Sequence, residues 1–334
     1  MSPALQSAQL FALAAAAFLL VGALAAGALR VLAGGAIIGW APQARHRVLV
    51  ALSAVPLAVA CWLTVVASVP SLIALVDPSE DHCVSHGGEH AHLCFVHLPR
   101  DAVHIELVGL LLVAAAYLAL RFLSAGADVW RAARVTQALV RTSRTDARRG
   151  LVVLETDAPV CFAAGLASPR VVVSRGLMAA LSPEEQVVAL AHERAHAARR
   201  DALARLIVRM TAALHLPGVG AWLRREVEVA AEQSCDEAAA AEVGDRLLVA
   251  STILKVERLV LAAGSGDHAA HAATAVALGS CAVERRVHAL LAAPRVEPSL
   301  RWVGALAVAV LGAALACADG LHHLAESALS RIAH

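Results

Sequence analysis

The residues His192-Glu193-Arg194-Ala195-His196 carry the first chemical signal in the chain. Two histidines at i and i+4 share one face of a helix. Both imidazoles can therefore turn toward a single metal ion, with Glu193 beside the first of them. Two ring nitrogens and one further protein ligand, with a fourth position left open, make up the donor set of a catalytic zinc. Zinc acidifies water, and a neighbouring carboxylate can take the proton as that water attacks a carbonyl carbon. The pattern also arises by coincidence in unrelated helices, so a third ligand decides its meaning. Glu232 follows His196 by 36 residues. It stands between Glu228 and Asp236 at successive i+4 steps, on one face of a helix expected over 222–243 that Gly244 stops. The interval lets the first helix end, the chain turn around 217–220, and a second helix return antiparallel with Glu232 facing the histidines. The plain alternative is a solvated acidic face paired with Arg224 and Arg225.

The flanking sequence supplies elements to hold these groups. Ser182-Pro183-Glu184-Glu185 reads as an N-cap, a first-turn proline and a capping box, opening a helix of roughly 30 residues that ends near Pro217. Residues 151–154 (LVVL) and 171–174 (VVVS) read as short valine-rich strands, and Pro159, Gly165 and Pro169 mark a loop between them. His215 admits two roles, stabilising an oxyanion or simply packing.

Composition explains the rest of the chain. Of its 334 residues 59% are hydrophobic, and the mean hydropathy is +0.67, an excess over soluble domains that sits in long uncharged runs. Helices crossing a bilayer need about 20 apolar residues, which predicts spans over 10–29, 48–76 (with Pro56 and Pro70 inside), 103–123 and 302–318. No basic side chain precedes the first span. Arg30, Arg45 and Arg47 come at its end and in the turn after it, the reverse of a cleaved secretion signal. The positive-inside rule puts the turn 39–47 in the cytoplasm, and Arg121, Arg131, Arg134, Arg141, Arg144, Arg148 and Arg149 mark the same side after the third span. The expected organisation is a membrane domain over 1–123, a cytoplasmic domain over 124–299 that carries the site, and 300–334 as a fourth span with a short outer tail. Both termini then lie outside. The fold class is mainly α: four transmembrane helices with an inserted α+β zincin-like domain. The alanine and arginine bias looks like a GC-rich bacterial genome, so the membrane expected for these spans is the bacterial inner membrane. A net charge of +1 gives no reason to expect nucleic acid, and the bilayer is the expected partner.

The loop 77–102 falls outside the cell. Its stretch DHCVSHGGEHAHLCFVH contains His82, His86, His90, His92 and His97, flanked by Cys83 and Cys94. Outside the cytoplasm these cysteines can close a disulfide, and the histidines can bind zinc or copper. Two readings stand side by side: a metal-sensing loop, and a solvated connector stapled by that disulfide. The seven cysteines form no C-x-x-C pair, which excludes a zinc ribbon or thioredoxin-like motif.

H-E-x-x-H on one helix followed by E-x-x-C-D (Glu232 to Asp236) on the next resembles the BlaR/MecR-type antirepressor metallopeptidases. The likeness covers Leu151–Asp245, including Cys161-Phe162-Ala163-Ala164-Gly165, Ser168-Pro169-Arg170-Val171-Val172-Val173-Ser174 and Arg199-Arg200-Asp201, and extends to Glu284-Arg285-Arg286-Val287. It implies one catalytic Zn2+ held by His192, His196 and Glu232, with Glu193 as general base and Asp236 as the carboxylate that orients a histidine. It also implies an edge strand at Val171, Val172 and Val173 that pairs with an extended substrate. Only Asp319–His334 follow the fourth span, where the β-lactam-sensing members carry a penicillin-binding domain, so direct β-lactam sensing is not expected. The expected activity is a membrane zinc endopeptidase that transduces a signal by cutting a cytoplasmic protein, by resemblance a winged-helix repressor, or itself. The alternatives are an HtpX-type quality-control protease and a non-catalytic receptor with a metal-sensing outer loop. The intact Glu193 argues against the second.

Overall fold

The computed structural model describes residues 3–77, 104–141, 143–146, 150–264, 283–292, 295, 297–299 and 301–333. His82, His86, His90, His92, His97, Cys83 and Cys94 lie outside the described residues.

Helices α1 (Pro3–Ile38) and α2 (Pro42–Val76) form a hairpin closed by the turn at Gly39–Ala41. Their backbones approach closely: a Cβ at Gly22 would lie 2.7 Å from the Pro56 Cα, the small-residue contact typical of helices packing within a bilayer. Helix α3 (Ile105–Arg141) is the third element long and apolar enough to cross a membrane. All three outrun the expected spans. α3 does so most, because its arginines end the apolar run without ending the helix: Asp128 pairs with Arg131 on the same helix and with Arg209 beyond it.

The expected fourth span needs correction. The segment forms helix α10 (Arg301–Ala316), 16 residues long. At 1.5 Å per residue it covers about 24 Å, short of a hydrocarbon core of about 30 Å. Three helices, not four, meet the length requirement among the described residues. The expected outer tail is helix α11 (Ala318–Ala333), which packs on α1 and α2. Ala318, His322 and Glu326 form its buried face, and Nδ1 of His322 lies 2.5 Å from the Ala67 carbonyl on α2.

Between the long helices lies a small sheet. Strands β1 (Arg144–Asp146), β2 (Leu151–Leu154), β3 (Cys161–Ala164) and β4 (Arg170–Ser174) take the order β1-β2-β4-β3. β4 runs parallel to β2, with Leu151 opposite Val171, and antiparallel to β3, with Cys161 opposite Val173. Val171, Val172 and Val173 therefore belong to a central strand whose backbone is engaged on both sides. The edge on that side of the sheet is β3, in a stretch where the sequence predicted a loop. Val171 and Val173 pack with Leu177, Leu181 and Leu190 on one face of the sheet, and Val172 packs with Val152, Leu154 and Ala164 on the other.

The helices that follow are α4 (Arg175–Ala180), α5 (Pro183–Arg199), α6 (Asp201–Thr211), α7 (Pro217–Val243), α8 (Arg246–Gly264) and α9 (283–291). Ala26, Ile37, Leu49 and Leu52 of the membrane hairpin pack directly against Val208 of α6 and Val219, Leu223, Val227 and Ala230 of α7. One apolar core thus joins the hairpin to the helices that carry the acidic residues.

Candidate metal centre

α5 begins as its sequence predicts. The Ser182 hydroxyl accepts from the Glu185 N–H at 3.3 Å, and the Glu185 carboxylate accepts from the Ser182 N–H at 2.8 Å. Its end differs from expectation. The single helix expected to reach Pro217 breaks at Arg200, whose φ of 55° and ψ of 45° are left-handed. This conformation is uncommon for a residue with a Cβ. It stops α5 just after His196 and starts α6 at Asp201, turning the Asp201 side chain back onto the helix it follows. Pro217 occupies the first turn of α7 rather than a loop, and Gly244 ends that helix with φ 78°.

The long return of α7 brings Glu232 to the two histidines. Nε2 of His192 lies 3.2 Å from Nε2 of His196, and the Glu232 carboxylate oxygens lie 3.4 Å from each of these nitrogens. Zinc bonds of 2.0–2.1 Å in tetrahedral geometry separate neighbouring ligand atoms by about 3.3 Å. The three side chains therefore already stand at the edges of such a polyhedron.

The outer faces of the rings explain which atoms point inward. Nδ1 of His192 is 3.0 Å from Asp236 Oδ1, and Nδ1 of His196 is 2.6 Å from Asp201 Oδ2. A carboxylate at this distance accepts a hydrogen bond from Nδ1–H, which holds the proton on Nδ1 and leaves the Nε2 lone pairs facing each other. Two lone pairs at 3.2 Å repel unless a cation lies between them, so the donor set fits a metal ion. Asp236, 1% exposed, receives both Arg286 nitrogens at 2.9 and 2.7 Å. Asp201, equally buried, receives Arg199, which also donates to the Ala231 carbonyl at 2.8 Å. Arg205 reaches Glu232 at 3.1 Å.

The electrostatics favour positive charge between the rings. Burial opposes charge on His192, but the bonds to Asp236 and Glu232 outweigh it and raise its pKa to about 9. His196 is raised in the same way, against burial, by Asp201 and Glu232. Burial pushes the Glu232 and Asp236 carboxyls up, yet their histidine and Arg286 partners hold both below the usual range. Asp201 is held at about 2, its bonds to His196 and Arg199 overcoming burial.

Cys235 also lies near the histidines, with donor atoms of all three within 4.8 Å of one another. Its sulfur sits behind His196, 3.2 Å from an Arg199 nitrogen. It is fully buried, and burial pushes its thiol up. Glu232 lines the cavity beside the histidines and Cys235 does not, so Glu232 is the better third donor. That cavity, of about 300 Å³, is also lined by Glu193, by Cys161, Phe162 and Ala163 of β3, and by Val249, Ile253 and Val256 of α8.

Asp201, Arg286 and Arg199 stand in stretches quoted for the family likeness, yet sequence reasoning gave them no task. An acid five residues after His196 was the available signal for Asp201. His215 is absent from the cavity: its Nε2 bonds the Ser53 carbonyl of α2 at 2.9 Å, a packing role.

A family model described as BlaR1 peptidase M56 matches residues 102–290. Comparison with the curated proteins and with the solved structures gave no match. The matched span includes α3, the sheet, both histidines, Glu232, Asp236 and Arg286. With three apolar membrane-length helices and a clustered donor set around a cavity, the chain belongs to the BlaR1 peptidase M56 family of membrane-associated metallopeptidases.

Proposed function

We propose that this protein is a zincin-type, zinc-dependent endopeptidase that cuts an extended segment of a cytoplasmic protein as one step of a signalling response. The observation that carries the proposal is the meeting of His192, His196 and Glu232 in the wall of a cavity that Glu193 shares. Zinc bound there supplies Lewis acidity toward the scissile carbonyl and toward water. Glu193 takes the proton of the attacking water and returns it to the leaving nitrogen. Asp236 and Asp201 keep the two rings turned inward while charge develops.

The substrate backbone pairs with β3. The Ser174 N–H donates to the Val160 carbonyl at 2.8 Å, so in the antiparallel alternation Phe162 and Ala164 turn their polar groups toward β4. The N–H and C=O of Cys161 and Ala163 turn outward, toward the open edge. An extended peptide there gains backbone hydrogen bonds, and Val249, Ile253 and Val256 receive an apolar side chain beside the cut.

Two observations support a signalling role. The arginine-rich stretch after the apolar part of α3 favours a cytoplasmic domain, which restricts substrates to proteins near that face. By family likeness a winged-helix repressor fits, as does the chain itself. Second, α3 runs unbroken from its apolar half to the wall of a second hollow of about 800 Å³, which shares Phe162, Ala163, Gly165, Ala202 and Arg205 with the first. A shift of α3 reshapes the approach to the β3 edge.

Glu193→Gln should retain zinc, measured by elemental analysis of the purified full-length chain, while cleavage falls by roughly 10²–10⁴. Cleavage at the unmodified rate, or a wild-type chain that takes up no zinc, would sink the proposal.

A further inference from the structure

The first turn of α2 carries two buried polar residues that the proposed chemistry does not use. His46 is 8% exposed, and its Nε2 has no hydrogen-bond partner among the described residues. That atom faces Asp201, 3.9 Å from Oδ1, while the other Asp201 oxygen holds His196. Arg45, 2% exposed, donates to the Ile38 carbonyl at the end of α1 at 3.1 Å and to the Gln233 side chain on α7. Gln233 is the neighbour of Glu232. Its Nε2 donates at 2.9 Å to the Arg285 carbonyl, one residue before Arg286, which grips Asp236 and lies 3.3 Å from Glu232. Leu49 and Leu52, one to two turns along α2, lie in the core shared with α6 and α7.

Burying a guanidinium against neutral partners, and an imidazole nitrogen against none, is costly. A membrane helix that only anchored the domain would need neither. We infer that His46 and Arg45 are positioning residues of the metal centre, contributed by the second membrane helix. His46 acts on His196 through Asp201, and Arg45 acts on Glu232 through Gln233. Adjacent residues on one turn thus touch the supports of two different ligands. A rotation or slide of α2 that closes the His46–Asp201 gap draws Asp201 away from His196, and the same movement carries Arg45 and the Gln233 side chain with it. The coordination geometry is in this way tied to the placement of α2 in the bilayer.

This inference rests on the proposed zinc site, and the test keeps the two apart. Co2+ is titrated into the full-length chain in detergent micelles, reading affinity and the visible d–d bands, which report ligand geometry. His46→Ala should weaken Co2+ binding about tenfold, the low end for groups that orient a ligand, and shift the bands. In an Asp201→Asn background the same change should add nothing. Leu49→Ala, which removes a core contact on the same helix, should lower the melting temperature and leave the spectrum unchanged. Unaltered binding and bands in His46→Ala would overturn the inference. So would a full additional loss in the Asp201→Asn background, or a Leu49→Ala spectrum that shifts as far as that of His46→Ala. If circular dichroism finds His46→Ala unfolded, His46→Gln is read by the same criteria. A wild-type chain that binds no Co2+ would refute the zinc site itself, and this inference with it.

Discussion

The two histidines of the site are held in unlike ways. On the His192 side the support is closed: buried Asp236 receives two bonds from half-buried Arg286, and both belong to helices outside the membrane hairpin. On the His196 side it is open: Asp201 follows a left-handed turn, shares its oxygens between His196 and Arg199, and faces an unbonded nitrogen of a membrane helix. The contrast separates what keeps the site folded from what can adjust it. A buried carboxylate whose bonds are saturated has one favourable arrangement. A carboxylate with a second partner just beyond bonding range has two.

The largest expected effect breaks the closed side. Asp236→Ala removes the acceptor of two charged Arg286 bonds, leaving that guanidinium only Glu232 at 3.3 Å, which costs about 1.5–3 kcal/mol, and frees the His192 ring. Chemical denaturation should register that loss, and elemental analysis should find almost no zinc. A variant that melts like the wild type would erase the distinction between the sides. Breaking the open side should spare the fold and injure the metal. Asp201→Asn is expected to lower zinc affinity by about 10- to 100-fold with a much smaller change in stability, measured by competition with a chelating dye alongside the same denaturation curve. A loss of stability equal to that of Asp236→Ala would make the sides alike.

The third test uses pH. A metal requires unprotonated ring nitrogens. The His192 pKa lies near 9 and that of His196 is raised, so proton competition grows as pH falls. Zinc affinity should drop about tenfold per pH unit for each proton displaced between pH 8 and 6. Asp236→Asn removes the largest support of the His192 proton and should flatten that slope, while a slope unchanged by this substitution would assign the competing proton to the other side.

Much of this site is written in short-range patterns. The i, i+4 histidines, the Ser182 capping box and the Glu232–Asp236 step are one-face spacings that survive any tertiary arrangement, and the structure shows the helices they announce. The parts that could not be read depend on distant or unpatterned contacts. The left-handed turn at Arg200 has no glycine to announce it, so α5 and α6 read as one helix and Asp201 lost its meaning. Arg286 meets Asp236 across 50 positions. β3, with the sequence CFAA, lacks the alternation that marks strands, and the edge that the family likeness implies at β4 lies instead at β3, because β4 pairs on both sides. The run at 302–318 satisfied an apolar criterion, yet its helix stops at Ala316, and α11 follows directly after Cys317.

The open edge of β3 bears on how such a protease avoids cutting at random. Backbone hydrogen bonds read the main chain that all proteins share, so a substrate paired with β3 as proposed would meet, at Cys161 and Ala163, a slot blind to most of its sequence. On the proposed function, discrimination then falls to access: the substrate is a chain that unravels locally, close to the bilayer, and threads between that strand and α3. Tethering turns selection into a question of neighbourhood and timing, with a partner captured at high local concentration and its neighbours ignored because they never arrive unfolded.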